Sequence, residues 1–166
     1  IIENRNEFTV DREVAMGASK WLSLHNYNQN EQNSLEAIKT LKMKGYRIVA
    51  TSPHINDQLL PEFDLTKGKV AIVFGSELPG ISETIMEEAD EFMKIPMYGF
   101  TESFNISVSA AIVLYQLSQK LRNQPEINWK LSEKERNEIK LAWLRATIKR
   151  SSLLEKKFLK ENRNKN

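Results

Sequence analysis

Val70-Ala71-Ile72-Val73-Phe74, followed directly by Gly75-Ser76-Glu77-Leu78-Pro79-Gly80, decides the fold class. The first five residues form a short unbroken apolar run, which suits a strand covered on both faces, as in a parallel sheet. Two glycines and a proline in the next six end it. Ser82 is placed to cap a helix running through Met86 and Ala89, and Glu83 falls in a first turn where the helix dipole favours a carboxylate. Phe92-Met93-Lys94-Ile95 predicts the next strand, and Pro96 to Asn105 a second loop. Ser107 then opens a helix expected to bury Val108, Ile112, Tyr115 and Leu117. Two loops thus leave the same end of neighbouring strands, and open α/β sheets bind ligands at that end.

Working upstream, Tyr46 to Thr51 reads as a strand ended by Pro53. Leu35, Ile38 and Leu41 stand at helical spacing, with Gly45 as the stop. Asn26 to Asn33 is a polar loop. Ala15 to Leu22 predicts a short helix, weakened by Gly17 by about 1 kcal/mol relative to alanine, with Trp21 in the core. Between the strands, Leu59, Leu60, Phe63 and Leu65 surround Pro61, which interrupts any long helix and leaves a connection packed under the sheet. Strands at 46–51, 70–74 and 92–95, with whatever precedes Ile2, alternate with helices. The expected fold is therefore α/β, a parallel sheet flanked by helices.

Downstream, Gln124-Pro125-Glu126 marks a boundary, separating a domain over 1–123 from a helical extension over 124–166. Ser132 with Glu135 three residues later is a capping box. It starts a final helix near Glu133 whose apolar stripe is Ile139, Trp143, Ala146 and Leu153. Net charge is only +2, yet residues 1–119 hold 10 basic and 16 acidic side chains, a net of −6, whereas residues 120–166 hold 14 and 6, a net of +8. That asymmetry points to a polyanionic partner met by the tail; the plain alternative is a solvated lysine-rich helix.

At 166 residues the chain makes one ordinary domain with an appendage. No run approaches the roughly 18–20 apolar residues of a membrane helix. Ile1-Ile2-Glu3-Asn4-Arg5 lacks the regions of a signal peptide, so the expected location is the cytoplasm. The absence of cysteine removes disulfides, thiol catalysis and thiolate-held zinc. His25 and His54 are distant from each other in sequence, which argues against a metal site.

Neither loop matches G-x-x-x-x-G-K-[ST] or G-x-G-x-x-G, so there is no P-loop and no dinucleotide fingerprint. Gly75-Ser76-Glu77 is not a hydrolase elbow. Residue chemistry alone stops at a ligand site in an α/β domain. The longer pattern goes further. Val73-Phe74-Gly75-Ser76-Glu77-Leu78-Pro79-Gly80-Ile81-Ser82 resembles the second motif of the SpoU/TrmH branch of the SPOUT RNA methyltransferases. Ile95-Pro96-Met97-Tyr98-Gly99 through Ser103-Phe104-Asn105-Ile106-Ser107-Val108-Ser109 resembles the third. The similarity covers most of residues 1–122, and the tail from Leu131 resembles the ending of the tRNA guanosine-18 members.

This resemblance implies a SPOUT-type α/β trefoil knot, S-adenosyl-L-methionine as cofactor, and a homodimer. It implies that Thr51, Gly75, Ile95, Met97 and Phe104 line the cofactor pocket, with Ser103 and Asn105 near the methyl group and the incoming ribose. Phe104 replaces the motif's usual leucine and alters the pocket's shape. Glu77 matches the motif glutamate; a carboxylate there can act as a base, but holding the turn through backbone amides is the favoured role. Asn105 cannot take a proton at neutral pH, though it can orient a hydroxyl or bind phosphate. The family's catalytic arginine belongs to a first motif expected upstream of Ile1. Arg5 and Arg12 follow that position and do not substitute for it.

The small run Ser109-Ala110-Ala111 allows close backbone approach, at a dimer by resemblance or against the chain's own sheet. Arg145, Lys149 and Lys156, broadened by Arg150 and Lys157, form the expected RNA-binding face, each cation able to neutralise one phosphate. The leading reading is methylation of a ribose 2′-hydroxyl in tRNA at a D-loop guanosine. Alternatives are a ribosomal RNA 2′-O-methyltransferase and a non-catalytic RNA-binding relative. A hydrolase using Ser76 and His54 comes last.

Overall fold

The computed structural model describes residues 1–3, 9, 17–52, 58–76 and 79–163; Glu77 and His54 lie outside them. The chain divides into two compact units, one of residues 1–6 and 26–128, the other of residues 7–25 and 129–166.

In the first unit, helix α1 (Asn33–Met43) leads into strand β1 (Arg47–Thr51), followed by a two-residue strand β2 (Gln58–Leu59) and a 3-10 turn at Leu60–Glu62. Strand β3 (Val70–Val73), helix α2 (Glu83–Glu88), strand β4 (Glu91–Lys94) and helix α3 (Ile106–Arg122) complete it. The four strands lie in the order β2-β4-β1-β3. All three pairings are parallel, with Val49 opposite both Ile72 and Glu91, and Gln58 opposite Met93. Strand β2 was hidden in the sequence because two residues carry no readable period.

Alternation along β1 sends side chains to opposite faces. Ile48 and Ala50 pack with Ile38 of α1 and Ile85 of α2. Val49 packs on the other face with Leu60, Phe63, Leu65, Met93, and Val113 and Leu117 of α3. Each fully buried large side chain here contributes roughly 1.5–3 kcal/mol. Strand β3 is half-buried because it ends the sheet, yet both faces are covered: Val70 and Ile72 meet one core, Ala71 and Val73 the other. At the N-terminal ends of the two central strands, Arg47 of β1 pairs with Glu91 of β4 and donates to the Asp64 carbonyl at 2.9 Å, with its guanidinium over the Phe63 ring.

Helix α3 departs from expectation in two ways. It begins at Ile106, not Ser107, because Asn105 takes the cap position and its Oδ1 accepts from the Ser107 amide at 2.8 Å. Its inward face runs through Val113 and Leu117, whereas Val108 and Tyr115 are exposed. Leu117 is buried and Ile112 packs against the same core, as expected, but the helix is apolar on a further side, and Val108 and Tyr115 lie there, uncovered by the sheet. Ser82 holds the cap position of α2 without a side-chain cap bond.

In the second unit Gly17 does not sit inside a helix; it adopts φ +84 before a 3-10 turn at Ala18–Trp21, a conformation that only glycine enters cheaply. Trp21 is not core. It is 52% exposed and meets Trp143 edge-on at 5.4 Å. The expected single last helix is two, α4 (Glu133–Thr147) and α5 (Ser151–Arg163). The capping box starts α4: Ser132 N–H donates to Glu135 Oε2 at 2.9 Å, and Glu135 N–H donates to Ser132 Oγ at 3.3 Å. Ile148 is extended and Arg150 takes φ 59, while the Ser151 hydroxyl donates to the Arg145 carbonyl at 2.9 Å. That bond satisfies an end carbonyl that a helix otherwise leaves unpaired, so the break is locally supported.

Candidate functional site

Parallel strands place the ends of β1, β3 and β4 on one edge of the sheet, and β1 lies between the other two. The chain must cross over β1 to pass from β3 to β4, which opens a crevice at that point. A cleft of about 590 Å³ occupies it, within the range of small-molecule sites. The segments after all three strands line it.

Its floor is held by bonds between the strand ends. The Thr51 hydroxyl donates to the Val73 carbonyl at 3.1 Å, and the Ser52 amide donates to the Met93 carbonyl at 3.1 Å. After β3 the chain turns back on itself: Ser76 and Gly80 exchange two backbone hydrogen bonds, both 3.0 Å. Gly75 sits under that turn. A Cβ there would lie 2.4 Å from the carbonyl carbon of Gly80 and 2.6 Å from the nitrogen of Ile81. The glycine is therefore required by close backbone approach.

The third wall is the loop from Ile95 to Asn105. Ile95, Met97, Ser103, Phe104 and Asn105 all line the cleft, as do Thr51 and Gly75. Seven residues singled out from sequence are thus gathered in one place. Asn105 has a second duty that sequence did not expose, as the cap of the 17-residue helix α3. Sequence reading also missed Met86, Met93 and Glu102, which line the same cleft. Met93 belongs to a strand that the sequence does reveal, but nothing in its pattern assigns it to a site. Glu102 is the one charged side chain among the described lining residues; the rest are apolar, hydroxyl-bearing, amide or glycine.

The basic candidates belong to the second unit. Arg145 is already engaged: its guanidinium makes a two-point pair with Glu155, joining α4 to α5, with Nε donating at 3.2 Å. The pair holds the Glu155 carboxyl below its ordinary range and pushes the Arg145 guanidinium up, chiefly through these hydrogen bonds. Lys157 lies 3.8 Å from Glu161. Lys149, Arg150 and Lys156 are exposed and make no ion pair among the described residues. No group of three or more metal-ligating side chains and no helix able to cross a membrane occurs among the described residues.

A family model described as the SpoU rRNA Methylase family matches residues 2–115. A tRNA (guanosine(18)-2′-O)-methyltransferase of Borreliella burgdorferi is 46% identical over 123 residues, spanning 74% of this chain and 54% of that protein. A 23S rRNA (guanosine-2′-O-)-methyltransferase of Coxiella burnetii is 36% identical over 116 residues, 70% of this chain and 44% of that protein. The chain thus spans about half the length of the curated relatives it matches. Among solved structures, the A. aeolicus TrmH/SpoU tRNA modifying enzyme is similar with a TM-score of 0.61 and 32% identity, over 85% of this chain and 70% of that one.

Proposed function

This chain belongs to the SpoU rRNA methylase family, and from that premise we propose that it methylates a ribose 2′-hydroxyl of tRNA, at a D-loop guanosine, using S-adenosyl-L-methionine. The observation that carries the reading is the cleft at the crossover, which residues of both loops line, Gly75 and Asn105 among them. Support for tRNA over other RNA comes from the guanosine-18 enzyme at 46% identity. The ribosomal RNA reading is kept because the Coxiella burnetii relative is 36% identical.

The cleft fits the cofactor. Its volume suits a nucleoside-sized ligand, Gly75 and Gly80 line it without side chains, and Phe74, Met86, Ile95, Met97 and Phe104 offer apolar walls. When bound, S-adenosyl-L-methionine supplies an electrophilic methyl on a sulfonium, and its displacement by a hydroxyl oxygen leaves a neutral thioether and one proton to remove. Alignment is the protein's main task in such an in-line transfer. Thr51 and Ser52, bonded across the strand ends, keep the floor rigid. Asn105, fixed by its cap bond, and Ser103 two residues earlier orient the ribose. Glu77 holds its loop or accepts the proton.

The same reading carries the trefoil knot of the SPOUT fold and a homodimer, consistent with the exposed apolar face of α3 at Val108 and Tyr115. Lys149, Arg150 and Lys156, with Lys157, supply the phosphate contacts; Arg145 serves mainly to brace α4 against α5.

The test is transfer from labelled S-adenosyl-L-methionine to unmodified tRNA by the full-length protein, with mass-spectrometric mapping of the methyl. One methylated D-loop guanosine, lost in Asn105→Ala, is the expected result. Transfer to ribosomal RNA alone would overturn the substrate. No transfer to either RNA, with no cofactor binding by calorimetry, would leave a non-catalytic RNA-binding relative.

A further inference from the structure

Glu102 is a charged group in a cleft whose other described lining residues carry no formal charge, and neither lysine nor arginine lies among them. It precedes Ser103 directly and the cap residue Asn105 by three positions, on the loop that forms the third wall. Glu102 itself is exposed, which spares its carboxylate the cost of desolvation.

We propose that Glu102 makes the cleft select a cationic ligand over a neutral one of the same shape, so that S-adenosyl-L-methionine is held in preference to S-adenosylhomocysteine. The inference rests on the cofactor reading above. The two molecules differ by one methyl group and one positive charge on sulfur. A methyl against apolar walls is worth only about 0.8 kcal/mol, so shape separates them weakly. A carboxylate acts on the charge itself. Its attraction disappears once the methyl has been transferred, and the spent cofactor leaves more readily.

Calorimetric titration of the full-length protein with S-adenosyl-L-methionine, S-adenosylhomocysteine and sinefungin (an amine in place of the sulfonium) tests this. Glu102→Gln is expected to weaken both cationic ligands by roughly three- to tenfold, the size of one screened interaction between unit charges a few ångströms apart. Affinity for S-adenosylhomocysteine is expected to stay within about twofold of wild type. Added salt should narrow the wild-type preference in the same direction, a readout that does not depend on any variant folding. Equal loss for charged and neutral ligands would overturn the proposal by making Glu102 a loop-holding residue, and so would no loss at all. A wild-type protein that binds none of the three would overturn the cofactor reading itself.

Discussion

Replacing Gly75 by alanine tests whether the cleft depends on close backbone approach. The new Cβ would lie 2.4 Å from Gly80 C, 2.6 Å from Ile81 N and 2.7 Å from Gly80 O. All three are main-chain atoms, so no side chain can swing aside. Reaching ordinary contact requires the 76–80 turn to lift by about an ångström, which would part the two 3.0 Å bonds between Ser76 and Gly80. Overpacking of this kind costs roughly 1–3 kcal/mol, and each lost hydrogen bond roughly 0.5–1.5 kcal/mol where water replaces it incompletely. The expected destabilisation is about 2–6 kcal/mol, with loss of cofactor affinity as the wall of the cleft moves. The assay is urea unfolding followed by far-UV circular dichroism. Trp21, Trp129 and Trp143 all belong to the second unit, so fluorescence would report on the wrong one. Ser76→Ala is the control, since its hydroxyl makes only a 3.4 Å contact with the Gly80 carbonyl. If Gly75→Ala unfolds within about 0.5 kcal/mol of wild type and binds cofactor normally, the close-approach argument is wrong.

Asn105 carries two duties that different substitutions separate. Asn105→Asp keeps a cap acceptor and should retain stability while losing methyl transfer, whereas Asn105→Ala should lose transfer and about 1 kcal/mol of stability; equal stabilities of the two variants would refute the cap role. Phe63 is fully buried between β1, α3 and the Arg47 guanidinium, so Phe63→Ala should cost about 3–5 kcal/mol in the same urea experiment. Because Arg145 holds the Glu155 carboxyl below its ordinary range, that pair stabilises the α4–α5 hairpin above the unfolded carboxyl's pKa, and its contribution is lost as pH falls through the lowered folded value. Arg145→Ala should therefore lower the helical melting temperature at pH 7 and leave it unchanged at strongly acidic pH, a difference read by circular dichroism. Lys156→Ala should weaken tRNA binding without altering cofactor affinity and reduce the salt slope by about one, whereas an unchanged slope would remove that lysine from the phosphate face.

Much of the fold was legible because it rests on local pattern. The strands expected at Val70 and Tyr46 and the capping box at Ser132 each rest on a few neighbouring residues, and the structure has strands at Val70–Val73 and Arg47–Thr51 and the box at Ser132. What failed were choices settled by distant neighbours. The helical spacing that groups Val108 and Tyr115 with Ile112 is real, but which apolar side of α3 meets the sheet depends on where β1 and β3 lie, and only Ile112 of the three packs on the core. Trp21 reads as core until its partner is seen to be Trp143, more than a hundred residues away in sequence. The break at Ile148 depends on a bond from Ser151 back to Arg145 and on an ion pair between two helices.

By itself, then, the sequence determined the strand–loop–helix succession, the lopsided charge and the two motifs whose resemblance names the family, all carried by residues close together along the chain. Only the tertiary structure decided the rest. It set the order β2-β4-β1-β3, brought the loops after β1, β3 and β4 around one cleft, put Glu102 among its walls, and made Gly75 necessary for contact with Gly80 and Ile81. The reason is physical: parallel pairing and backbone contact are set by packing between segments distant in sequence, and no local period encodes which strand becomes whose neighbour.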